Sequence, residues 1–337
     1  MPVSVALVGA DGSGKTTLFN ALTRGRGADG VGMVDVPDER LQRLADAVKP
    51  KKIVPAQVRI ADAPAGSKAQ RIAAAREADV VIKVARGFGP DPDPASELAS
   101  MDVDLALTDL ATVEKRLELV ERDVRVGKKA GAEELEVLQR ARVHLDAGHP
   151  LSTLPLEPAE RALLEPLFPV SAKPSVLVAN VDEASLPDGG APAAAVRRAA
   201  EAAGAEALVV PARLEAELAE LEAADAAEYR KSYGLTEGGL GAVARAVWRA
   251  GGLITYFTAG EPEVRAWPCE RDAPAPVAAG VIHSDFEKHF IRAEVTSVDE
   301  LVAAGSMDAL RATGKLRVEG REYRVQDGDV VFFRVGR

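Results

Sequence analysis

Residues 9–16 read GADGSGKT, a G-x4-G-K-T spacing whose glycines let successive backbone N–H groups turn inwards around an anion. Lys15 then stands where a β- or γ-phosphate needs a cation, and the Thr16 hydroxyl is suited to Mg2+. Asp11, Gly12, Ser13, Gly14 and Thr17 complete the expected phosphate contacts. The flanks give the spacing its weight. VSVALVG before it is a buried strand, and TLFNALT after it carries Leu18, Phe19 and Leu22 at helical spacing. The positive end of that helix adds to the cradle. A carboxylate follows in AQVRIADAPAG, where Asp62 closes an apolar strand just before Pro64, a position suited to holding magnesium through water. Lys15, Thr16 and Asp62 are the expected catalytic set, with Thr16 and Asp62 as the metal pair.

Base selection is expected from PSVLVANVDE, in which Asn180 is one of only two asparagines in the chain. Guanine-reading folds of this kind carry N-K-x-D here. Val181 in place of the lysine and Glu183 in place of the aspartate remove the carboxylate geometry that rewards guanine and allow an apolar contact with a base face. Adenine is the expected base, contacted by Asn180, Val181, Glu183 and, just past the strand AEALVVPAR, Ala212.

These groups need elements to hold them. Five apolar strands alternate with helical segments, so the expected fold is α/β with a mainly parallel sheet. Two regions break the alternation. Residues 101–167 are helical on both sides of Gly127 and Gly131, with Leu105, Leu107, Leu110, Val113, Leu117 and Val120 recurring at threes and fours before the glycines and Leu135, Leu138, Val143 and Leu145 continuing after them. That reads as an antiparallel helical hairpin inserted in a nucleotide domain of residues 1–100 and 168–252. Residues 253–337 alternate apolar and polar around turns and form a small β domain. Arg125, Lys128 and Lys129 at the hairpin tip, and Lys315, Arg317 and Arg321 in the last domain, are candidate contacts for RNA or another partner; a plain solvated surface is the alternative.

Composition narrows the setting. Of 337 residues, 47% are hydrophobic and 28% charged, a globular balance. A net charge of −10 opposes bulk attraction to nucleic acid and leaves only local basic patches for such contacts. The single cysteine, Cys269, excludes an intramolecular disulfide and a cysteine-rich metal site. No apolar run approaches the ~20 residues of a membrane span, so a cytoplasmic monomer without membrane contact is expected.

Nearly end to end, the sequence resembles the YchF-type Obg-like ATPases. TLFNALT, VPDERLQRLADAVKP, the N-x-x-E of ANVDE, and TYFTAG with VRAW are similar to that family, as are AAGVIHSDFEKHFIRAEV and YRVQDGDVVFFRV. The resemblance implies a P-loop nucleotide domain, an inserted helical hairpin and a C-terminal β-grasp (TGS) domain. It also implies ATP hydrolysis with Mg2+ and association with ribosomes. The chain departs from the family where switches operate. The family's G-x-P-N-V-G-K-S loop is altered, GRGADGVGMVDVPD is short and lacks the threonine that closes over magnesium, and DAPAGSKAQRIAAA lacks the D-x-x-G pattern and most of the glycine-rich stretch. Switch loops are what a γ-phosphate orders. The expected activity is therefore intact ATP binding with slow or conditional hydrolysis, a divergent form of the family. Three alternatives stay open: binding without turnover, a preference for GTP, and a nucleoside monophosphate kinase, for which Arg71 and Arg76 alone resemble a lid and are better read as a solvated helix face.

Overall fold

The structure is a computed structural model and describes residues 3–62, 68–126, 131–235 and 237–336. In chain order its strands are β1 (Ser4–Val8), β2 (Val31–Val36), β3 (Ile53–Val54), β4 (Ala56–Ala61), β5 (Val80–Gly87), β6 (Ser175–Val181), β7 (Glu206–Val210), β8 (Leu253–Ala259), β9 (Val264–Glu270), β10 (Phe290–Ser297), β11 (Arg317–Glu319) and β12 (Asp329–Val335). The helices that matter below are α1 (Lys15–Thr23), α2 (Glu39–Val48), α3 (Lys68–Glu77), α4 (Pro94–Arg125), α5 (Ala132–Asp146), α6 (Pro158–Leu164), α7 (Gly190–Ala203) and α8 (Ala212–Leu218).

One sheet has the order β2-β4-β1-β5-β6-β7, and β4, β1, β5, β6 and β7 run parallel. Parallel strands covered on both faces must be apolar throughout, which is why SVALV and the first residues of β5 are almost wholly buried. After β1 the chain crosses to β2 and β4 on one side, and it returns to β5 on the other. The loop following β1 therefore lies at the topological switch point, where open α/β sheets leave a crevice at the carboxyl ends of their strands.

The helical hairpin is present as α4 and α5, which close on a shared core of Val113, Leu117, Val120, Leu138, Ala141 and Leu145. α4 begins at Pro94, earlier than residue 101, because Asp93 caps it by accepting from the Ser96 N–H and Pro94 fits the first turn. Its root is fastened by Asp109, which is 1% exposed. That carboxylate accepts from the N–H groups of Val170 and Ser171 at 2.9 and 2.7 Å and from the Ser171 hydroxyl at 2.6 Å.

By packing, the chain divides into two compact units: residues 4–33 with 59–250, and residues 1–3 and 34–58 with 251–337. The segment 34–58, grouped with the nucleotide domain in the sequence reading, packs with the C-terminal residues. α2 explains why. Arg40 pairs with its own cap Asp38 and with Asp327 at 2.7 Å, Arg43 pairs with Asp299, and β3 runs parallel to β9. The sheet of this unit has the order β11-β10-β12-β8-β9-β3, with β10 antiparallel to β11 and β12 around a core of Tyr256, Phe290, Val295 and Phe333.

Replacing Asp109 strands two backbone N–H groups in the interior. Asp109→Ala is expected to lower the unfolding free energy of the helical arm and its sheet by about 3 kcal/mol, measured by urea titration followed by circular dichroism.

Candidate nucleotide site

The loop from Gly9 to Gly14 is shaped by what cannot be there. A Cβ at Gly9 would lie 2.5 Å from the Val84 carbonyl of β5, and one at Gly14 would lie 2.1 Å from Asn180 Nδ2. Gly12 and Gly14 also hold φ near +81° and +87°, the left-handed region open to glycine. The loop thus lies tight against β5 and β6, and α1 starts at Lys15 with its first N–H groups turned to the crevice.

Lys15 Nζ donates to the carbonyls of Gly9 at 2.9 Å and Ala10 at 2.7 Å. Burial pushes the ammonium below its ordinary pKa, while Asp11 and Asp62 pull it back up. Thr16 Oγ1 donates to Asp62 Oδ2 at 3.0 Å. Asp62 is 3% exposed, and burial raises its carboxyl above the usual range against the opposing Thr16 hydrogen bond and the nearby Lys15 charge. Its second oxygen, Oδ1, is buried and makes no hydrogen bond among the described residues. A buried carboxylate oxygen with unused lone pairs beside a threonine hydroxyl is a hard-oxygen donor set, and it fits Mg2+ completed by phosphate and water.

Asn180 acts as a buckle. Its Nδ2 donates to the Ser13 carbonyl at 2.9 Å, and its Oδ1 accepts from the Ala212 N–H at 3.1 Å. Each end of the carboxamide makes one of these bonds, so Asn180 ties the loop to Ala212 at the start of α8. Val181 needs a correction. Strand alternation turns it to the opposite face from Asn180, where it is buried with Ala179, Ala193 and Val196 beneath α7 and offers no surface to a base. Glu183 is exposed and accepts from the Tyr233 hydroxyl at 3.1 Å. Asp11, Gly12, Thr16 and Thr17 are exposed along the loop and the first turn of α1.

The first switch is short. Between Thr23 and Val31 the chain turns straight back, Ala28 and Val31 exchange two hydrogen bonds at 2.9 Å, and the Asp62 N–H donates to the Gly30 carbonyl at 2.8 Å. A Cβ at Gly27 or Gly32 would strike Phe19 or Thr23, so the turn is pressed against α1. Residues 63–67 of the second switch, and Lys128 and Lys129 at the hairpin tip, lie outside the described residues. Arg125 pairs with Glu121 at 3.7 Å. Arg317 pairs with Asp329, and Arg321 donates to the Phe290 carbonyl, whereas Lys315 is exposed.

Sequence reading missed one residue. Arg71, taken for a solvated helix face, reaches from α3 to Asp11 Oδ1 at 3.3 Å. No spacing rule reveals this, because only the fold brings the first turn of α3 to the loop.

The parallel sheet, the glycine loop at its switch point, Lys15 and the Thr16–Asp62 pair define a P-loop nucleotide-binding protein. Comparison with known proteins narrows the class. A family model named YchF-GTPase_C, described as "Protein of unknown function (DUF933)", matches residues 253–336. The ribosome-binding ATPase YchF of Bacillus subtilis is 36% identical over 99% of both chains, and that of Escherichia coli O157:H7 is 34% identical over the same shares. The solved structure of the Schizosaccharomyces pombe YchF GTPase superposes with a TM-score of 0.87 at 26% identity, covering 98% of this chain and 97% of that one. The chain belongs to the YchF family. The Bacillus alignment runs over 364 positions against 337 residues here, so the relative carries insertions.

Asn180→Ala leaves the Ser13 carbonyl and the Ala212 N–H without partners. The expected result is a loss of roughly tenfold or more in nucleotide affinity, equivalent to about 1.4 kcal/mol per tenfold, with a melting temperature only a few degrees lower. Calorimetric titration beside thermal melting separates the two effects.

Proposed function

We propose that this chain binds ATP with Mg2+ at the loop of residues 9–17 and hydrolyses it slowly, acting as a nucleotide-dependent switch on the ribosome. The observation that carries the reading is the Thr16–Asp62 pair, with a spare buried carboxylate oxygen beside Lys15. Asp11, Gly12, Ser13, Gly14 and Thr17 surround the phosphates. Thr16 and Asp62 would hold the metal, which when bound neutralises charge on the β- and γ-phosphates. Lys15 exchanges the carbonyls of Gly9 and Ala10 for phosphate oxygens. Asn180 and Ala212 keep the loop in register beside the base, and the second N–H and second lone pair of the Asn180 carboxamide remain for the nucleotide. Glu183, in place of a guanine-reading aspartate, favours adenine. The bacterial relatives are named ATPases and the solved fission-yeast relative a GTPase, so GTP is the competitor to test.

Slow turnover follows from the turn at residues 24–30, which holds no threonine to close over the metal and is tied back at Gly30. Catalysis of phosphoryl transfer is chiefly positioning and electrostatics, and a site lacking one such group loses rate before it loses binding. That same turn favours a second reading, in which the nucleotide is a structural ligand and turnover is negligible. The ribosome assignment rests on the names of the relatives. The helical arm of residues 101–167 and the β-grasp (TGS-like) domain of residues 253–337 are the proposed contacts, through Arg125, Lys128 and Lys129 and through Lys315, Arg317 and Arg321.

Calorimetry with ATP and GTP tests the base assignment: ATP is expected to bind about tenfold or more tightly, and equal or tighter GTP binding defeats it. Lys15→Ala is expected to abolish measurable ATP affinity, while turnover in the unaltered chain that this variant removes decides against the structural-ligand reading. Co-sedimentation with ribosomes is expected to fall steeply with salt and on replacing Lys128 and Lys129 by alanine; binding indifferent to both removes the tip as a contact.

A further inference from the structure

We infer that Arg71 is a built-in arginine for the terminal phosphate, held beside the loop by Asp11 and transferred to the γ-phosphate when a nucleoside triphosphate binds. This rests on the reading of residues 9–17 as a triphosphate site and deepens it. Arg71 stands in the first turn of α3, and its guanidinium meets Asp11 Oδ1 at 3.3 Å. The two partners differ in exposure: the arginine side chain is 26% exposed, the aspartate 87%. Arg71 lines a cavity of about 70 Å³ with Val8, Gly9, Ile72, Met101, Asp104 and Leu105, which sets it beside the first glycine of the loop. An ion pair with a solvated carboxylate at this distance is weak. A terminal phosphate offers a planar guanidinium two oxygens at once, a stronger partner than the carboxylate it displaces.

The field of Arg71 already falls on the groups that would face that phosphate. Its positive charge acts on both Lys15 and Asp62. The charge is also needed here. In hydrolysis a water oxygen bonds to the γ-phosphorus, and the bridging P–O bond breaks with its electron pair leaving on ADP. The water proton passes to the released phosphate, and negative charge spreads over the three equatorial oxygens. With no threonine in residues 24–30, a cation supplied from α3 compensates part of that charge.

The deciding experiment compares ADP with a non-hydrolysable ATP analogue, both with Mg2+, by calorimetry on the full chain and on Arg71→Ala and Arg71→Gln, the second retaining most of the stem. ADP affinity is expected to stay within about twofold, while analogue affinity falls roughly tenfold and single-turnover hydrolysis falls about a hundredfold. Arg71→Lys, keeping the charge without the fork, is expected to recover only part of the analogue affinity. An analogue-to-ADP affinity ratio in the alanine and glutamine variants equal to that of the unaltered chain overturns the inference while leaving the site reading intact. If the unaltered chain binds neither nucleotide, the site reading itself fails and the inference falls with it.

Discussion

The site depends on how closely the loop after β1 is drawn to β6. Gly14 leaves no room for a methyl group beside Asn180, and the carboxamide fills that contact by satisfying a carbonyl of the loop and an amide at the start of α8. Three pieces of chain far apart in sequence are thereby fixed by one side chain. The N–H groups that would face a polyphosphate do not have to be ordered by the ligand, because the protein has met that entropic cost during folding. The tie uses one N–H and one lone pair of the carboxamide, so a second donor and a second acceptor remain on the same side chain.

Opposite this buckle stands the pair of Thr16 and Asp62. Burying a carboxylate with one oxygen unpaired is unfavourable, and burial is the leading influence on Asp62. Folding tolerates such a group where a bound cation later satisfies it. The contrast with Asp109 is instructive. That carboxylate is buried too, yet three donors converge on it and its work is finished within the fold. Among the described residues the two aspartates, similar in burial, differ in the count of their partners, and that difference is what supports reading Asp62 as a cation ligand.

Much of this was legible in the sequence, and the reasons for the rest are physical. The strand–loop–helix at residues 3–23, the carboxylate at Asp62 and the helical hairpin all announce themselves locally, through glycine spacing and apolar periodicity. The association of residues 34–58 with the C-terminal residues did not, since it comes from Arg40 meeting Asp327 and Arg43 meeting Asp299 across more than 250 positions. Val181 was misread because a motif compares residue types and ignores the pleat: its neighbour Asn180 faces the loop, and alternation sends Val181 the other way. Arg71 was set aside because an arginine on an alanine-rich helix looks like any solvated one until the fold shows what stands opposite it. In the basic hairpin of residues 315–324, charge is legible in the sequence but partners are not: Arg317 and Arg321 are exposed and also bonded within their own unit.

The root of the helical arm is joined to this same neighbourhood. Glu97, one turn into α4, accepts from the Arg86 N–H at 2.9 Å, and Arg86 stands opposite Asn180 in the register of β5 and β6. α4 runs unbroken for 32 residues, about 48 Å, and its last 16 lie beyond the fastening at Asp109. A rod held at its root magnifies angle into distance: a pivot of about 10° at Asp109 sweeps the far end, about 24 Å away, through about 4 Å, more than the span of a hydrogen bond. A displacement too slight to disturb the packing around a phosphate would still arrive at the remote end of the arm as the making or breaking of a contact.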